Sequence, residues 1–300
     1  LLESLMIKLG AAVIPIVNLL NDYLLECPVI HCDETTLQVL RSKKAPSSDH
    51  FMWVRAGGTE SQKILLFDYA PSRSAEVARG LLADFKGTLL TDGYQAYDVV
   101  ASAQGLVHAG CLAHVRRYFK DVTKAQPEAS RNANIALDYI GRLYEVEREL
   151  RERKVPATPA ERLEARQRRS RPIMVEFRNW LDEIAPKLLP ESKFGKAVHY
   201  ALGQWSKLQV YIDDPAVPID NNRCENAIRP FVVGRRAWLF CDTQAGAGAS
   251  ARLYSLVETA KANGIEPHAY LTHLFTHLPS ASTVEHFEAL LPWNVKNSIH

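Results

Sequence analysis

The chain has 300 residues, with 36 lysines and arginines against 34 aspartates and glutamates, and a formal net charge of +2. Its content of 47% hydrophobic and 23% charged residues is close to the average of soluble globular proteins, which argues against a disordered, collagenous or membrane chain. This length favours two domains, or one core with a large insertion. The sequence pI of about 8.3 is too low to indicate a nucleic-acid-binding protein from composition alone.

The five cysteines form an odd number with no CxxC pair, which indicates reduced thiols and a cytoplasmic protein. The most apolar stretch, residues 9–20, is shorter than the roughly 18 residues that a membrane helix needs, so no membrane partner is expected. The chain opens at Leu1 inside a periodic apolar pattern rather than with Met. We therefore expect residues 1–27 to be the helical end of a missing upstream region.

The order of predicted elements favours an α/β fold. Residues 1–25 have helical spacing, interrupted near Pro15. Runs rich in β-branched and aromatic residues, separated by polar turns such as residues 43–49, then predict strands at 29–40, 51–56 and 64–69. The pattern that follows predicts a helix at 74–85 capped by Ser74, a strand at 88–91, a helix at 94–101 and a strand at 106–109. This order, βββαβαβ, fits a mixed sheet with helices on its faces and is the order of the ribonuclease H fold.

The second half of the chain is predicted to be mainly helical. Residues 111–210 show helical spacing with a turn-like segment at 155–159, which predicts a large helical insertion. The predicted domains are the N-terminal segment, the first part of the core, the insertion and the completion of the core, at residues 1–27, 28–110, 111–215 and 216–300. In the last domain we predict a strand at 237–241, a Gly/Ala loop at 245–250 and a helix at 251–263 with Gly264 just past its end.

Two aspartates lie at positions of the predicted sheet where a charged side chain is unusual unless it has a structural or functional role. Asp33 is in the middle of the first predicted strand, and Asp92 follows the strand at 88–91, where ligands of open α/β sheets gather. A turn or a strand-end ion pair explains either aspartate alone at least as well. If the two strands are neighbours, however, the carboxylates converge, as the paired divalent ions of phosphoryl chemistry require.

A third carboxylate, Glu225, lies within residues 220–230. Asn222 is suited to cap a short helix that Pro230 would end, which puts Glu225 at the third helical position. A glutamate there serves either as a ligand or as part of a capping box, in which it accepts from the backbone N–H of the cap residue. The local sequence leaves both interpretations open, and Asp220 is the alternative third ligand.

One Cys/His pair offers another candidate site. Cys111 and His114 have the spacing of half a zinc site, but no second pair with suitable spacing follows nearby, so packing roles are favoured for both. Arg116 and Arg117 come directly afterwards. These arginines are compatible with contacts to DNA phosphates and equally with the solvated face of a helix.

A Glu/Arg-rich segment at residues 142–171 ends in a cluster that includes Arg166, Arg168 and Arg169. Clustered arginines suit DNA phosphates, whereas alternating glutamates and arginines at helical spacing are typical of an exposed helix with internal ion pairs. The sequence favours neither interpretation over the other.

Short motifs in order along the chain resemble the transposases of the insertion-sequence-66 family. They are HCDET at 31–35, TDGY at 91–94, GCLAH at 110–114, DNNRCENAIRP at 220–230 and GRRAWLF at 234–240, followed by YSL at 254–256, TAKANG at 259–264 and LLPW at 290–293. Each motif is weak alone, but the ordered combination over about residues 28–294 is specific. By this resemblance the chain is identified as a member of the family.

The resemblance implies a DDE transposase with a ribonuclease H-like core, in which Asp33, Asp92 and Glu225 are catalytic and bind the metal. The implied cofactor is Mg²⁺, as two ions, with Mn²⁺ able to substitute. The implied reaction is hydrolysis of a phosphodiester at the transposon end, followed by attack of the freed 3′-hydroxyl on target DNA. The expected DNA-binding residues are Arg116, Arg117, Arg166, Arg168, Arg169, Arg229, Arg235 and Arg236.

The expected partners are double-stranded DNA, as transposon ends and target, further copies of the chain assembled on DNA, and accessory proteins of the same element. The expected location is the bacterial cytoplasm, with nucleoid association when DNA is bound. Two other functions stay open. One is a ribonuclease H-like nuclease that cuts without joining, and the other is a DNA-binding or assembly module whose catalytic triad has lapsed. The intact Asp33, Asp92 and Glu225 argue against the latter.

Overall fold

The computed structural model describes residues 2–42, 49–125 and 130–295, so residues 43–48 of the predicted turn at 43–49 lie outside the described residues. The strands are β1 (Val29–Leu37), β2 (Val39–Arg41), β3 (His50–Gly58), β4 (Lys63–Ala70), β5 (Thr88–Leu90), β6 (Val107–Ala109) and β7 (Cys241–Thr243).

The helices cover most of the rest of the described chain. They are α1 (Leu2–Ala12), α2 (Ile14–Leu25), α3 (Ala75–Leu81), α4 (Gln95–Gln104), α5 (Leu112–Ala125), α6 (Ser130–Arg151), α7 (Pro159–Ala165), α8 (Arg171–Ile184), α9 (Lys193–Gly203), α10 (Trp205–Leu208), α11 (Val210–Asp213), α12 (Asn222–Trp238), α13 (Gln244–Ala262), α14 (Pro267–His277), α15 (Val284–Glu288) and α16 (Pro292–Val295). A π-helical segment, Arg166–Ser170, joins α7 to α8.

The fold is mixed α/β, and its main sheet has five strands in the order β4-β3-β1-β5-β6. The predicted antiparallel meander is confirmed, because β3 pairs antiparallel with both β1 and β4. The elements β1, β3, β4, α3, β5, α4 and β6 follow one another in the predicted order βββαβαβ, with the short β2 added after β1. β1 is therefore the central strand, and its neighbour β5 ends two residues before Asp92.

The chain divides into two compact parts. The sheet-bearing unit comprises Leu1–Leu89, Gln95–Leu106 and Arg223–His300, and the helical unit comprises Leu90–Tyr94 and Val107–Asn222. In the sheet-bearing unit, apolar residues of β1, β3 and β4 pack with those of α12 and α13 in one core cluster. In the helical unit, α5 packs against α6 and α9, with Phe119 buried against Phe177 and Phe194.

The outer edge of the sheet is closed by a helix rather than by another strand. Ser255 and Thr259 on α13 and Asn263 just past its end recur at one-turn spacing, and their side chains hydrogen-bond to the backbone of β4. Thr259 serves both groups of Leu65, accepting from its N–H at 3.0 Å and donating to its carbonyl at 2.9 Å. The motif residues around 255–263 thus satisfy polar groups that an edge strand would otherwise expose.

Two predicted strands are wrong where tertiary contacts decide the structure. The predicted strand at 29–40 stops at Leu37, and Val39 instead pairs in parallel with Cys241 of β7. The predicted strand at 237–241 is mostly helix, because α12 continues to Trp238 and ends at Leu239 with a φ of 63°. The strand that follows, β7, begins only at Cys241.

The predicted Gly/Ala loop at 245–250 is the first part of α13. Thr243 caps this helix by accepting from the Gly246 N–H at 3.0 Å. Small residues suit this segment because α1 packs closely on it: a Cβ added to Gly10 would lie 2.6 Å from the Cβ of Ala249. Gly264 follows the helix with a φ of 74°, as predicted.

Pro230 lies inside α12 and does not end it, contrary to the prediction. Proline lacks the N–H that would bond to the carbonyl four residues earlier, which belongs to Asn226. Because Asn226 is exposed, water can satisfy that carbonyl and the helix continues.

No single helix among the described residues is long and apolar enough to cross a membrane, although α1 and α2 together, bent by 51°, meet the length and composition criteria. Ile16, Leu20 and Leu24 of this pair are fully buried in the fold.

Candidate functional site

Asp33 lies on the central strand, on the face of the sheet that α12 covers. Its backbone partner is Val54 on β3, and residues opposite each other on paired strands point to the same face. Val54 belongs to the core cluster that includes Cys224 of α12. The Glu34 N–H donates to Oδ1 of Asp33 at 2.9 Å, which orients a carboxylate that is only partly exposed.

Glu225 reaches the same face from the start of α12. The thiol of the preceding residue, Cys224, donates to the carbonyl of Val54 at 3.3 Å, so this turn of α12 is held against the backbone opposite Asp33. The pKa of Cys224 is raised well above its ordinary value, first by burial and then by negative charges that include Asp33 and Glu225. Both carboxylates therefore lie within electrostatic range of one buried thiol in the sheet-bearing unit.

Glu34 is a residue of this strand that the sequence interpretation did not use. Its partner across the strands is Trp53, so it points to the opposite face from Asp33. Its side chain is only 1% exposed, and its two carboxylate oxygens accept from Arg73 and from the hydroxyl of Tyr97. The signal in the sequence was a second charged residue next to Asp33 inside an apolar strand, since buried charges are normally paired.

Asp92 belongs to the helical unit, where it forms a tight turn. Its Oδ1 accepts from the Tyr94 N–H at 2.9 Å. A Cβ on the intervening Gly93 would lie 2.8 Å from the ring of Tyr200, so only glycine fits between this turn and that ring. The pKa of Tyr200 is raised, chiefly by burial and next by the charge of Asp92. Tyr200 itself stacks on Tyr118 of α5, with ring centroids 4.4 Å apart.

The segment before α12 is stabilised through Asp220, the alternative third ligand. Its Oδ2 accepts from the hydroxyl of Tyr144 at 2.7 Å and from the side-chain amide of Asn222 at 2.7 Å. Its Oδ1 accepts from the Asn222 N–H at 3.1 Å. These contacts make Asp220 a structural residue of the helical unit, and the Asn222 side chain acts as a donor to it.

Cys111 and His114 lie at the start of α5 in the helical unit. Cys111 is buried, and its sulfur accepts from the Asn221 N–H at 3.2 Å. The Leu112 N–H also bonds to the carbonyl of Ile219, at 3.1 Å. Cys111 therefore takes part in holding the start of α5 beside residues 219–222.

The arginine cluster predicted at residues 166–169 is engaged within the protein. Arg166 is 1% exposed and forms a bidentate pair with Glu147, with both N–O distances at 2.8 Å. Its remaining donors bond to the carbonyls of three residues, Tyr211, Asp214 and Val217. Arg166 does not present its guanidinium to solvent, so the structure corrects its assignment as a DNA contact.

The other predicted DNA-binding arginines lie nearer the surface. Arg168 and Arg169 pair with Glu164 and Glu149, at 3.9 and 2.6 Å. Arg235 of α12 donates to the hydroxyls of Thr35 and Thr36 on β1. The remaining four, which are exposed, are Arg116, Arg117, Arg229 and Arg236.

The chain matches known proteins along nearly its whole length. Residues 1–249 match the family described as Transposase IS66 family, and residues 255–293 match the IS66 C-terminal element. The uncharacterized protein y4jD of Sinorhizobium fredii is 31% identical over 94% of this chain and 56% of its own length. The uncharacterized protein y4qI of the same organism is 32% identical over 93% of this chain and 54% of its own length. The chain thus spans about half the length of these curated relatives, and it belongs to the IS66 family of transposases.

Proposed function

We propose that this chain is the catalytic region of a DDE transposase, with a ribonuclease H-like core that cuts DNA at transposon ends and joins the ends to target DNA. Family membership supports the transposase role. The order βββαβαβ and the central position of β1 support the proposed core. The observation that carries the proposal is geometric: Asp33 lies opposite Val54 on the face of the sheet that α12 covers, and the turn of α12 that carries Glu225 is bonded to the Val54 carbonyl through Cys224.

The donor set suits Mg²⁺. Asp33 and Glu225 supply hard carboxylate oxygens from partly buried side chains on one face of the sheet-bearing unit. Two negative charges beside a buried core raise each other's energy, and a divalent cation relieves that repulsion. Asp33 and Glu225 would hold the metal, and the family resemblance adds Asp92. Bound divalent metal supplies charge neutralisation at the phosphodiester and activation of the attacking oxygen.

The protein's own contribution is positioning. The backbone N–H of Glu34 orients the Asp33 carboxylate, and the bond from Cys224 to Val54 fixes the turn of α12 that carries Glu225. The proposed chemistry needs no covalent enzyme intermediate. Water breaks one phosphodiester and leaves a 3′-hydroxyl, which then attacks a target phosphodiester, so that one bond forms as another breaks.

The test is a cleavage and joining assay with Mg²⁺ on DNA that contains transposon ends, using wild type, Glu225→Gln and Glu60→Gln. A glutamine side chain preserves the size and hydrogen-bonding capacity of Glu225 but supplies no charge to a divalent ion, so Glu225→Gln should stay folded and lose at least a few orders of magnitude in rate. Glu60 is 98% exposed in its ion pair with Lys63, so its variant controls for the loss of one carboxylate.

The outcomes separate the three functions that the sequence left open. Cleavage with joining, abolished by Glu225→Gln alone, supports the proposal. Cleavage without joining would identify a nuclease. DNA binding without either reaction would identify a DNA-binding or assembly module whose catalytic triad is no longer active. Near-wild-type rates for Glu225→Gln would return Glu225 to a purely structural role at the start of α12.

A further inference from the structure

We propose that a groove between α5 and α6 in the helical unit docks the phosphate backbone of duplex DNA. This inference rests on the proposed function for its biological setting, but it stands on a separate surface. A cavity of about 490 Å³ lies there, and four basic side chains of α5 line it against a single carboxylate, Asp121. The four are Arg116, Arg117, Lys120 and Lys124, and all are exposed.

These four side chains form a basic stripe along α5. The length of this stripe suits a short segment of a DNA backbone. Arg116 and Lys124 are eight residues apart on one helix, which is about 12 Å at a rise of roughly 1.5 Å per residue. Successive phosphates of one DNA strand rise by about 3.4 Å along the duplex axis and lie further apart than that along the strand, so a backbone that follows α5 meets the stripe at about two to three phosphates. The apolar face of α5 is buried through Val115, Phe119 and Val122, which holds the stripe in a fixed orientation within the helical unit.

Two of the residues that line the groove have small side chains or none, which leaves room for a ligand beside the basic residues. The lining includes the small residues Ala113 on α5 and Gly141 on α6, together with Tyr144 and Asn222. The hydroxyl of Tyr144 and the side chain of Asn222 both donate to Asp220, so these polar groups are already held in place. A solvated helix face needs no such concavity, whereas a backbone that lies along α5 would fill it.

Charge pairing distinguishes this groove from the other basic surfaces of the helical unit. Arg142, Arg148 and Arg169 each pair with a glutamate at 2.6 to 3.3 Å. Among the described residues, Arg116 and Lys120 have no such ion-pair partner. Asp121 pairs with Lys124 at 3.8 Å with both side chains mostly exposed, a geometry that contributes little. The groove therefore carries a net positive field, whereas the charges of Arg142, Arg148 and Arg169 are offset by their glutamate partners.

We expect the basic residues of the groove to contact the DNA phosphate backbone and not the edges of the bases. Lysines and arginines that meet phosphates give affinity with little sequence preference and a steep dependence on salt. The test measures binding of a short mixed-sequence duplex by fluorescence anisotropy in EDTA, at salt concentrations from about 50 to 200 mM. EDTA removes catalysis from the measurement.

The test variant is Arg116→Gln/Lys120→Gln, and the matched control is Lys187→Gln/Lys196→Gln, which removes two charges from exposed, paired positions in the same unit. Losing two phosphate contacts should reduce the slope of log K against log salt by about 2 and weaken binding roughly 10- to 100-fold at 0.1 M salt. The control should change the slope by less than about 0.5. The charge-preserving variant Arg116→Lys/Lys120→Arg should keep the wild-type slope.

Three results would overturn the inference: no DNA binding by the wild type, equal slopes for the test and control variants, or displacement of the duplex by low-millimolar inorganic phosphate, which would indicate a pocket for a single anion. If the wild type neither cuts nor joins DNA but the test variant still shows a reduced salt slope, only the proposed catalysis is contradicted. If the wild type is catalytically active but the test variant keeps the wild-type salt slope, only the proposed DNA-binding role of the groove is contradicted.

Discussion

Tyr97 donates its hydroxyl hydrogen to Oε2 of Glu34, the residue that follows Asp33 on the central strand. Tyr97 is fully buried on α4, and its pKa is raised by burial and by the charge of Glu34. Arg73 supplies the other donor to this carboxylate. The Asp33 carboxylate is thus presented on one face of a strand whose other face is fixed by a buried, charge-assisted network.

Removing the Tyr97 hydroxyl tests this network. Tyr97→Phe leaves Glu34 buried with one donor fewer, so the free energy of unfolding should fall by about 1.5–3 kcal/mol. Chemical denaturation measures the change. Tyr139→Phe is the control, since the Tyr139 hydroxyl has no hydrogen bond within the described residues, and it should change stability by well under 1 kcal/mol. Equal stability of the two variants would contradict the role given to Tyr97.

Arg166→Met should be among the most destabilising substitutions of the helical unit. It removes the partner of Glu147, which is only 15% exposed in its side chain, and leaves the carbonyls of Tyr211, Asp214 and Val217 without their donor. Breaking such a pair costs about 3–5 kcal/mol, measured as a shift of the urea midpoint. Arg168→Met, at an exposed ion pair, should cost less than about 0.5 kcal/mol. A mild effect at Arg166 would argue that its carbonyl contacts are replaced by water.

Thr259→Val tests the closure of the sheet edge. The substitution keeps the shape of the side chain but removes the hydroxyl that serves the N–H and the carbonyl of Leu65. Leaving these buried groups unsatisfied should cost about 1–3 kcal/mol and raise the tendency to aggregate through β4. Thermal unfolding and light scattering measure the two effects. Thr272→Val, at an exposed threonine of α14, is the control; similar losses for both would refute the edge-closing role.

His273 gives the fold a pH dependence of known sign. Its pKa is lowered from the ordinary 6.5, first by burial and then by the charge of His277, whose ring centroid lies 4.2 Å away. Because the folded-state pKa is below the unfolded value, the unfolded chain binds more protons between the two. The stability that His273 contributes is complete above about pH 6.5 and is lost as the pH falls through the folded-state pKa.

Replacing the neighbour should reverse part of this shift. His277→Gln removes the second charge, so the pKa of His273 should rise but stay below 6.5 because the burial remains. NMR titration of the imidazole signals measures it. His268→Gln, on the same helix, is the control and should leave the titration of His273 unchanged. A constant pKa in His277→Gln would assign the whole shift to burial.

Features that depend on local periodicity can be predicted from the order of residues alone. Alternation and helical spacing predicted the βββαβαβ order, because side chains repeat every two residues in a strand and about every 3.6 in a helix. The same alternation put Asp33 in the middle of the first strand, which the structure makes the central strand of the sheet. The ordered motifs indicated the family before any contact was known, and residues 1–249 match it.

Tertiary structure alone decided which polar residues are buried and where several elements end. Arg166 and Arg116 are similar as residues of basic helical segments, but only Arg166 meets Glu147 and three carbonyls from other elements. Residues 245–250 have the composition of a loop, yet they form the first part of α13, which Thr243 caps and which packs on Gly10 of α1. Such contacts join residues far apart in the chain, so neither propensity nor spacing within a short window contains them.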